Sequence, residues 1–234
     1  MRRFDDLNVL VFRVANPERV AVPLNGPGGR IAILELKKGG RLPDGPLPAF
    51  FNASKVLDFG WDPFDNRRLA VGCDDGRIRL WRVADNGGAG SGVVMESSNE
   101  PWKMLEVAHS TERVTIVQFH PLASDVLASA SADYVIRVWN VESALAVVQL
   151  EAHSEQVFGL AWSPCGAFIA SVCKDGRVRI FEPRAATAAI RCGAGPNGVK
   201  GARVAWALDA KFLLVSGFDK YVSLSLSLPF SFHL

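Results

Sequence analysis

The sequence predicts an all-β chain assembled from repeated small sheets. Three observations carry this. Trp61-Asp62-Pro63, Phe119-His120-Pro121 and Trp162-Ser163-Pro164 are each preceded, five residues before the aromatic, by a valine: Val56, Val114 and Val157. Each proline is followed 11 or 12 residues later by an aspartate, and six residues further on by an aromatic: Asp75 and Trp81, Asp133 and Trp139, Asp175 and Phe181. Helix-period apolar patterning is weak throughout. One unit recurring about every 44 residues means a repeat architecture.

The period and the Asp-x5-Trp ending point to WD-type blades, each a small four-stranded sheet. Seven such blades need about 300 residues, and the chain has 234. The expected fold is therefore a partial WD-repeat β-propeller, about four blades of a seven-blade ring. Residues 9–14, 19–24 and 30–36 are apolar and β-branched, with Asn25-Gly26-Pro27-Gly28-Gly29 as a turn between the last two. They read as strands. Residues 37–48 hold Gly, Pro and Lys and read as a loop. The repeats cover about 52–108, 109–152, 153–192 and 201–220, within a propeller spanning 1–220. The Gly/Ser-rich stretch 84–101 reads as an insertion, and 104–107 as an outer strand.

The fourth unit opens at Arg203-Val204-Ala205-Trp206, and Asp219 falls 11 residues after Leu208. Ser225 then stands where an aromatic is due, so 221–234 reads as a divergent tail. The Val222–Leu228 run alternates by two and suits a third strand of that blade. Left open, such an arc exposes uncharged strand edges prone to association.

Composition excludes several function classes. The net charge of +2, from 26 basic and 24 acidic residues, gives no reason to expect nucleic acid or an anionic membrane as partner. Cys73, Cys165, Cys173 and Cys192 form no Cys-x-x-Cys and no zinc spacing, so they read as reduced, mostly buried thiols of a cytoplasmic protein. Asp5 and Asp6 interrupt any signal-peptide core after Met1-Arg2-Arg3. No window reaches the ~18 apolar residues of a membrane span.

Each repeat's third strand alternates, as in Arg77-Ile78-Arg79-Leu80-Trp81, so both faces are lined for contact. In WD repeats a His, a Ser/Thr, the turn Asp and the Trp form a hydrogen-bonded chain whose buried groups satisfy one another. By that resemblance the second repeat uses His109, Ser129, Asp133 and Trp139. The third uses His153, Ser171 and Asp175, but Phe181 has no N–H to close the chain. The first has Asp75 and Trp81, with no His or Ser at the matching places. Arg79, Arg137 and Arg179 share one position, four after the turn Asp. A ring of arginines on one rim suits acidic or phosphorylated partners. The alternative, favoured here, is packing beside the aromatic two residues on.

Signatures of catalysis are thin. Gly193-Ala194-Gly195-Pro196-Asn197-Gly198 matches G-x-G-x-x-G, but Pro196 lies inside it and a strand follows, so it reads as a loop between blades. No cofactor or metal site is expected. A propeller enzyme with a central-channel site is the rival reading, and the inner strands offer it only Asp58, Gln118 and Arg203.

Several stretches are more specific than a generic WD repeat. Val20-Ala21-Val22-Pro23-Leu24, Gly26-Pro27-Gly28-Gly29-Arg30-Ile31-Ala32, Gly40-Arg41-Leu42-Pro43-Asp44 and Trp61-Asp62-Pro63-Phe64-Asp65 resemble the opening of coronin propellers. Val172-Cys173-Lys174-Asp175-Gly176-Arg177-Val178-Arg179, Gly201-Ala202-Arg203-Val204 and Leu214-Val215-Ser216-Gly217-Phe218-Asp219 strengthen the match. The chain is most similar to the second propeller of the long coronins, which carry two. The resemblance covers about residues 10–220. It implies a non-enzymatic scaffold that binds actin filaments or trafficking factors and is linked to the cytoskeleton and the Golgi. Met1–Asn8 does not match the basic segment that opens a coronin propeller, and the Ser/Leu alternation after Tyr221 matches nothing in the family. The expectation is a truncated propeller, with a non-functional isoform as the alternative.

Overall fold

The computed structural model describes residues 15–36, 47, 49–83, 100–106, 111–196, 200–218 and 223–229. Among them there are eighteen strands and no helix. The expected strand at 9–14, the insertion at 84–99, His109 and Asp219 lie outside the described residues.

Five antiparallel sheets follow one another along the chain. The first joins β1 (Arg19–Pro23), β2 (Arg30–Glu35) and β3 (Ala49–Phe51). The second joins β4 (Val56–Trp61), β5 (Arg68–Cys73), β6 (Ile78–Arg82) and β7 (Lys103–Leu105). The third joins β8 (Val114–Phe119), β9 (Val126–Ser131), β10 (Ile136–Asn140) and β11 (Leu145–Leu150). The fourth joins β12 (Val157–Trp162), β13 (Ile169–Cys173), β14 (Arg177–Phe181) and β15 (Ala189–Ala194). The fifth joins β16 (Gly201–Ala207), β17 (Phe212–Phe218) and β18 (Ser223–Pro229).

Every sheet is ordered as its strands occur, so each is a meander of hairpins. The full fingerprint marks sheets two to four, the incomplete fourth unit forms the fifth, and the first sheet precedes them all. Its β3 arises from Ala49-Phe50-Phe51, directly after the Pro-rich loop. The alternating tail does pair as a third strand: β18 lies antiparallel to β17, with Ser225 opposite Ser216.

The fingerprint residues have local physical roles. The valine opens the innermost strand and pairs with the last residue of the next one: Val56 with Cys73, Val114 with Ser131, Val157 with Cys173. The turn aspartate opens the hairpin into the third strand, accepting a backbone N–H two residues on, as from Arg77, Val135 and Arg177. The next residue takes a left-handed conformation: Gly76 at φ +81°, Gly176 at φ +74° and Tyr134 at φ +68°. Glycine adopts that region without steric cost and tyrosine does not.

The core lies between sheets rather than inside one. Ile31, Ile33 and Phe50 of the first sheet meet Phe59, Leu69 and Trp81 of the second. Ile78, Leu80 and Leu105 meet Val114, Leu127 and Trp139. Ile136 and Leu150 meet Leu160, Trp162 and Phe181. Val172, Val178 and Ile180 meet Val204, Leu213 and Val215. Each sheet thus buries side chains on both faces, and the inner strands β4, β8, β12 and β16 follow side by side.

Candidate functional site

Two kinds of buried polar group recur through these sheets. One kind lies within a sheet and the other ties neighbouring sheets. Some of their members, such as Ser129, His153, Ser171 and His120, stand out in the sequence as candidate site residues or fingerprint positions.

Within the third sheet, the Trp139 indole N–H donates to Ser129 Oγ at 2.8 Å, in a fully buried pair. Within the fourth, His153 Nε2 meets Ser171 Oγ at 2.8 Å. Phe181 closes that site by packing on the His153 ring, centroids 5.5 Å apart. Burial, helped by the Arg179 charge and opposed by Asp175, lowers the His153 pKa to about 4. In the second sheet Val71 occupies the serine position and pairs across the strands with Arg79, as Ser129 pairs with Arg137 and Ser171 with Arg179. Asn52 fills the gap, accepting the Trp81 indole N–H at 2.8 Å and donating to the Gly29 carbonyl at 2.6 Å. Sequence reasoning missed Asn52. Its signal was spacing, since it stands 29 residues before Trp81 as His153 stands 28 before Phe181.

The turn aspartates each have an arginine as partner. Asp75, Asp133 and Asp175 each bind the arginine four residues on, at 2.6 Å to Arg79, Arg137 and Arg179. The pairs at Arg79 and Arg179 are two-pronged. His153 Nδ1 is left without a hydrogen-bond partner among the described residues, so Asp175 does not join its chain. The three guanidinium groups are buried. Burial alone would raise the carboxyls of Asp75 and Asp175, but hydrogen bonds from Arg79 and Arg179 outweigh it and hold them below the ordinary range.

Across sheets, the fingerprint's Trp-x-Pro region supplies the ties. Trp162 Nε1 donates to the Gln118 carbonyl at 3.4 Å, and Trp206 Nε1 to the Ala161 carbonyl at 3.0 Å. Both bonds run back to the preceding inner strand. His120 Nδ1 accepts the backbone N–H groups of Leu122 and Ala123, so Nε2 carries the proton and donates to the Gly166 carbonyl in the next sheet at 2.9 Å. Gly166 is required there: its φ is +71° and a Cβ would lie 2.3 Å from the His120 ring. Arg68, fully buried, binds buried Asp62 of its own sheet and, at 2.5 Å, Asp125 of the next.

The polar inner-strand residues belong to the same system. Asp58 accepts the Val117 backbone N–H at 2.9 Å, and Arg203 donates to the Phe158 carbonyl at 2.9 Å. Among the described residues no group of three His, Cys, Asp or Glu side chains could hold a metal. All four thiols are free, Cys73 and Cys173 buried but Cys165 and Cys192 exposed, which corrects the expectation of mostly buried cysteines. Burial pushes the Cys73 thiol up to about 12, against the pull of Arg79.

Known proteins share this arrangement. The family model described as WD domain, G-beta repeat matches residues 48–82, 102–140 and 145–182. Coronin-7 of Bos taurus is 50% identical over 205 residues, 88% of this chain and 22% of that protein. A coronin-like protein of Saccharomyces cerevisiae is 32% identical over 210 residues, 88% of this chain and 32% of that protein. The crystal structure of the WD40 domain from Toxoplasma gondii coronin superposes with a TM-score of 0.76, covering 93% of this chain and 58% of that one. Its 24% identity shows the fold alone. The chain spans 22% of the length of the bovine protein. Fifty per cent identity to Coronin-7 over 88% of this chain, carried on WD repeats, identifies this as a WD-repeat chain of the coronin type.

Proposed function

We propose that this chain is a protein-interaction scaffold acting in actin-cytoskeleton organisation and in Golgi or vesicle traffic. The observation that carries the scaffold reading is the use of its polar groups between sheets, Arg68 and His120 buried, Asp58 half-buried and Arg203 exposed. Asp58, Arg68, His120 and Arg203 all bond to the neighbouring sheet. Groups spent on holding sheets together leave the loops and outer strands as the partner-facing surface. Arg79, Arg137 and Arg179 belong on this reading to blade structure rather than to partner contact.

The coronin relatives support the cytoskeletal assignment, and a cytoplasmic location goes with it. No helix among the described residues is long and apolar enough to cross a membrane. Cosedimentation with actin filaments at physiological salt tests the proposal. Saturable pelleting at micromolar concentrations supports actin as partner. A chain that stays in the supernatant at every concentration removes it.

A further inference from the structure

A partly open cleft lies between the third and fourth sheets. It encloses about 170 Å³, and its lining is almost wholly apolar. His120 and Trp162 line it, with Val126 and Val147 from one sheet and Ala167 and Pro183 from the other. A cavity of about 150 Å³ with apolar walls holds a benzene ring, so this one matches a phenylalanine or leucine side chain. Val147 in its lining is 59% exposed.

Two further features bear on the occupant. Val147 lies on β11, which pairs with β10 alone and is the outer strand of its sheet. The outer strands of the other four-stranded sheets each carry a charge, Lys103 on β7 and Arg191 on β15, which discourages added strands. β11, with the sequence Leu-Ala-Val-Val-Gln-Leu, has none. Val147 is the bulged residue of β11, left outside the ladder where the register slips between Val138 and Trp139, and its side chain lines the cleft, so an extended peptide running along β11 brings a side chain over it. Arg184, also in the lining, is exposed and forms no hydrogen bond or ion pair among the described residues. A carboxylate next to the inserted side chain would complement it.

We infer that β11 and the cleft beside it form a docking site for an extended segment of a partner protein, bearing a bulky apolar residue next to an acidic one. The site rests on the scaffold reading, but not on actin as the partner. A second copy of the chain is a poorer occupant. Its own strand, Leu-Ala-Val-Val-Gln-Leu, holds no carboxylate to complement Arg184.

The test is fluorescence anisotropy of the whole chain with a labelled peptide of alternating Thr and Val carrying one central phenylalanine beside an aspartate. A control peptide has lysine in place of the aspartate. The site predicts saturable binding of the aspartate peptide, about tenfold tighter than the lysine peptide. Arg184→Glu should invert that preference, and Val147→Glu should abolish binding of both. Both positions are exposed, and circular dichroism checks that the variants fold. Equal affinity for the two peptides, absence of binding, or binding indifferent to both variants overturns the inference. So does a dimer in light scattering that Val147→Glu dissolves, since the cleft then joins two copies. Filament cosedimentation of Val147→Glu separates the readings: loss of peptide binding with pelleting unchanged bears on the cleft and leaves the filament assignment standing.

Discussion

Trp81 and Asn52 form a buried hydrogen bond across 29 residues, the indole N–H meeting Oδ1 at 2.8 Å. The second sheet thereby reaches the loop that ends the first, because Asn52 also holds the Gly29 carbonyl. Replacing Asn52 by leucine leaves the indole N–H buried and unpaired. The expected cost is about 1–3 kcal/mol. Urea denaturation checks it, and an unchanged midpoint would show that the bond carries nothing.

Arg68 should matter through the charge it leaves behind. Asp62 is fully buried, and Asp125, the partner in the next sheet, is partly exposed. Arg68→Met strands the Asp62 carboxylate and should cost about 3–5 kcal/mol. Adding Asp62→Asn removes that charge while keeping an acceptor for the Phe64 N–H, so the double variant should recover most of the loss. Asp125→Ala should cost less than Arg68→Met, because Asp125 is partly exposed and Arg68 keeps Asp62 as its partner. A double variant less stable than Arg68→Met would contradict this account.

His153 should impose an acid limit on stability. Its folded pKa is lowered from 6.5 to about 4, chiefly by burial. Above 6.5 the imidazole is neutral in both states. Between 6.5 and about 4 the unfolded chain takes up the proton and the folded chain does not, so stability falls with pH, by about 3 kcal/mol in total. Asp75 and Asp175, with lowered pKa values, lose their contribution only as pH falls through and below the ordinary carboxyl value of 3.8. His153→Gln should flatten the denaturation midpoint between pH 6.5 and 4. A variant that keeps the full slope would place the titrating group elsewhere.

Tyr134 occupies the turn position that glycine holds in the neighbouring repeats, at φ +68°. Tyr134 is 40% exposed, so little packing offsets the backbone cost. Tyr134→Gly should stabilise the chain by about 1 kcal/mol, less the flexibility that glycine adds to the unfolded chain. The thermal midpoint should rise, and a fall would show that the ring contributes more than the strain.

Much of the fold was legible because its determinants are local. A valine, a turn aspartate and a third-strand aromatic at fixed spacing specify hairpins within one sheet, and period-two alternation places apolar side chains on both faces. The alternating tail beyond Tyr221 also declared itself as a strand. The choice of partner by a buried polar group was harder to read. Asp175 has both His153 and Arg179 within reach by family pattern, and the arginine takes it because it lies on the strand leaving the same turn. Asn52 replaces a histidine and a serine together, so a search for those residue types passes over it. The ties from Trp162 and His120 end on backbone carbonyls of another sheet, and no side-chain pattern marks such an acceptor.

The central claim is that the fingerprint's polar residues bind neighbouring sheets into one unit. Hydrogen exchange read by mass spectrometry on the His120→Ala variant tests it most directly. His120 lies in the third sheet's first hairpin and its acceptor Gly166 in the fourth's. Stability in stacked repeats depends on nearest-neighbour interfaces. The account predicts faster exchange in β8–β9 and in β12–β13 alike, with β1 and β2 unchanged. Faster exchange confined to β8 and β9 would contradict it, because His120 would then serve its own sheet and nothing beyond.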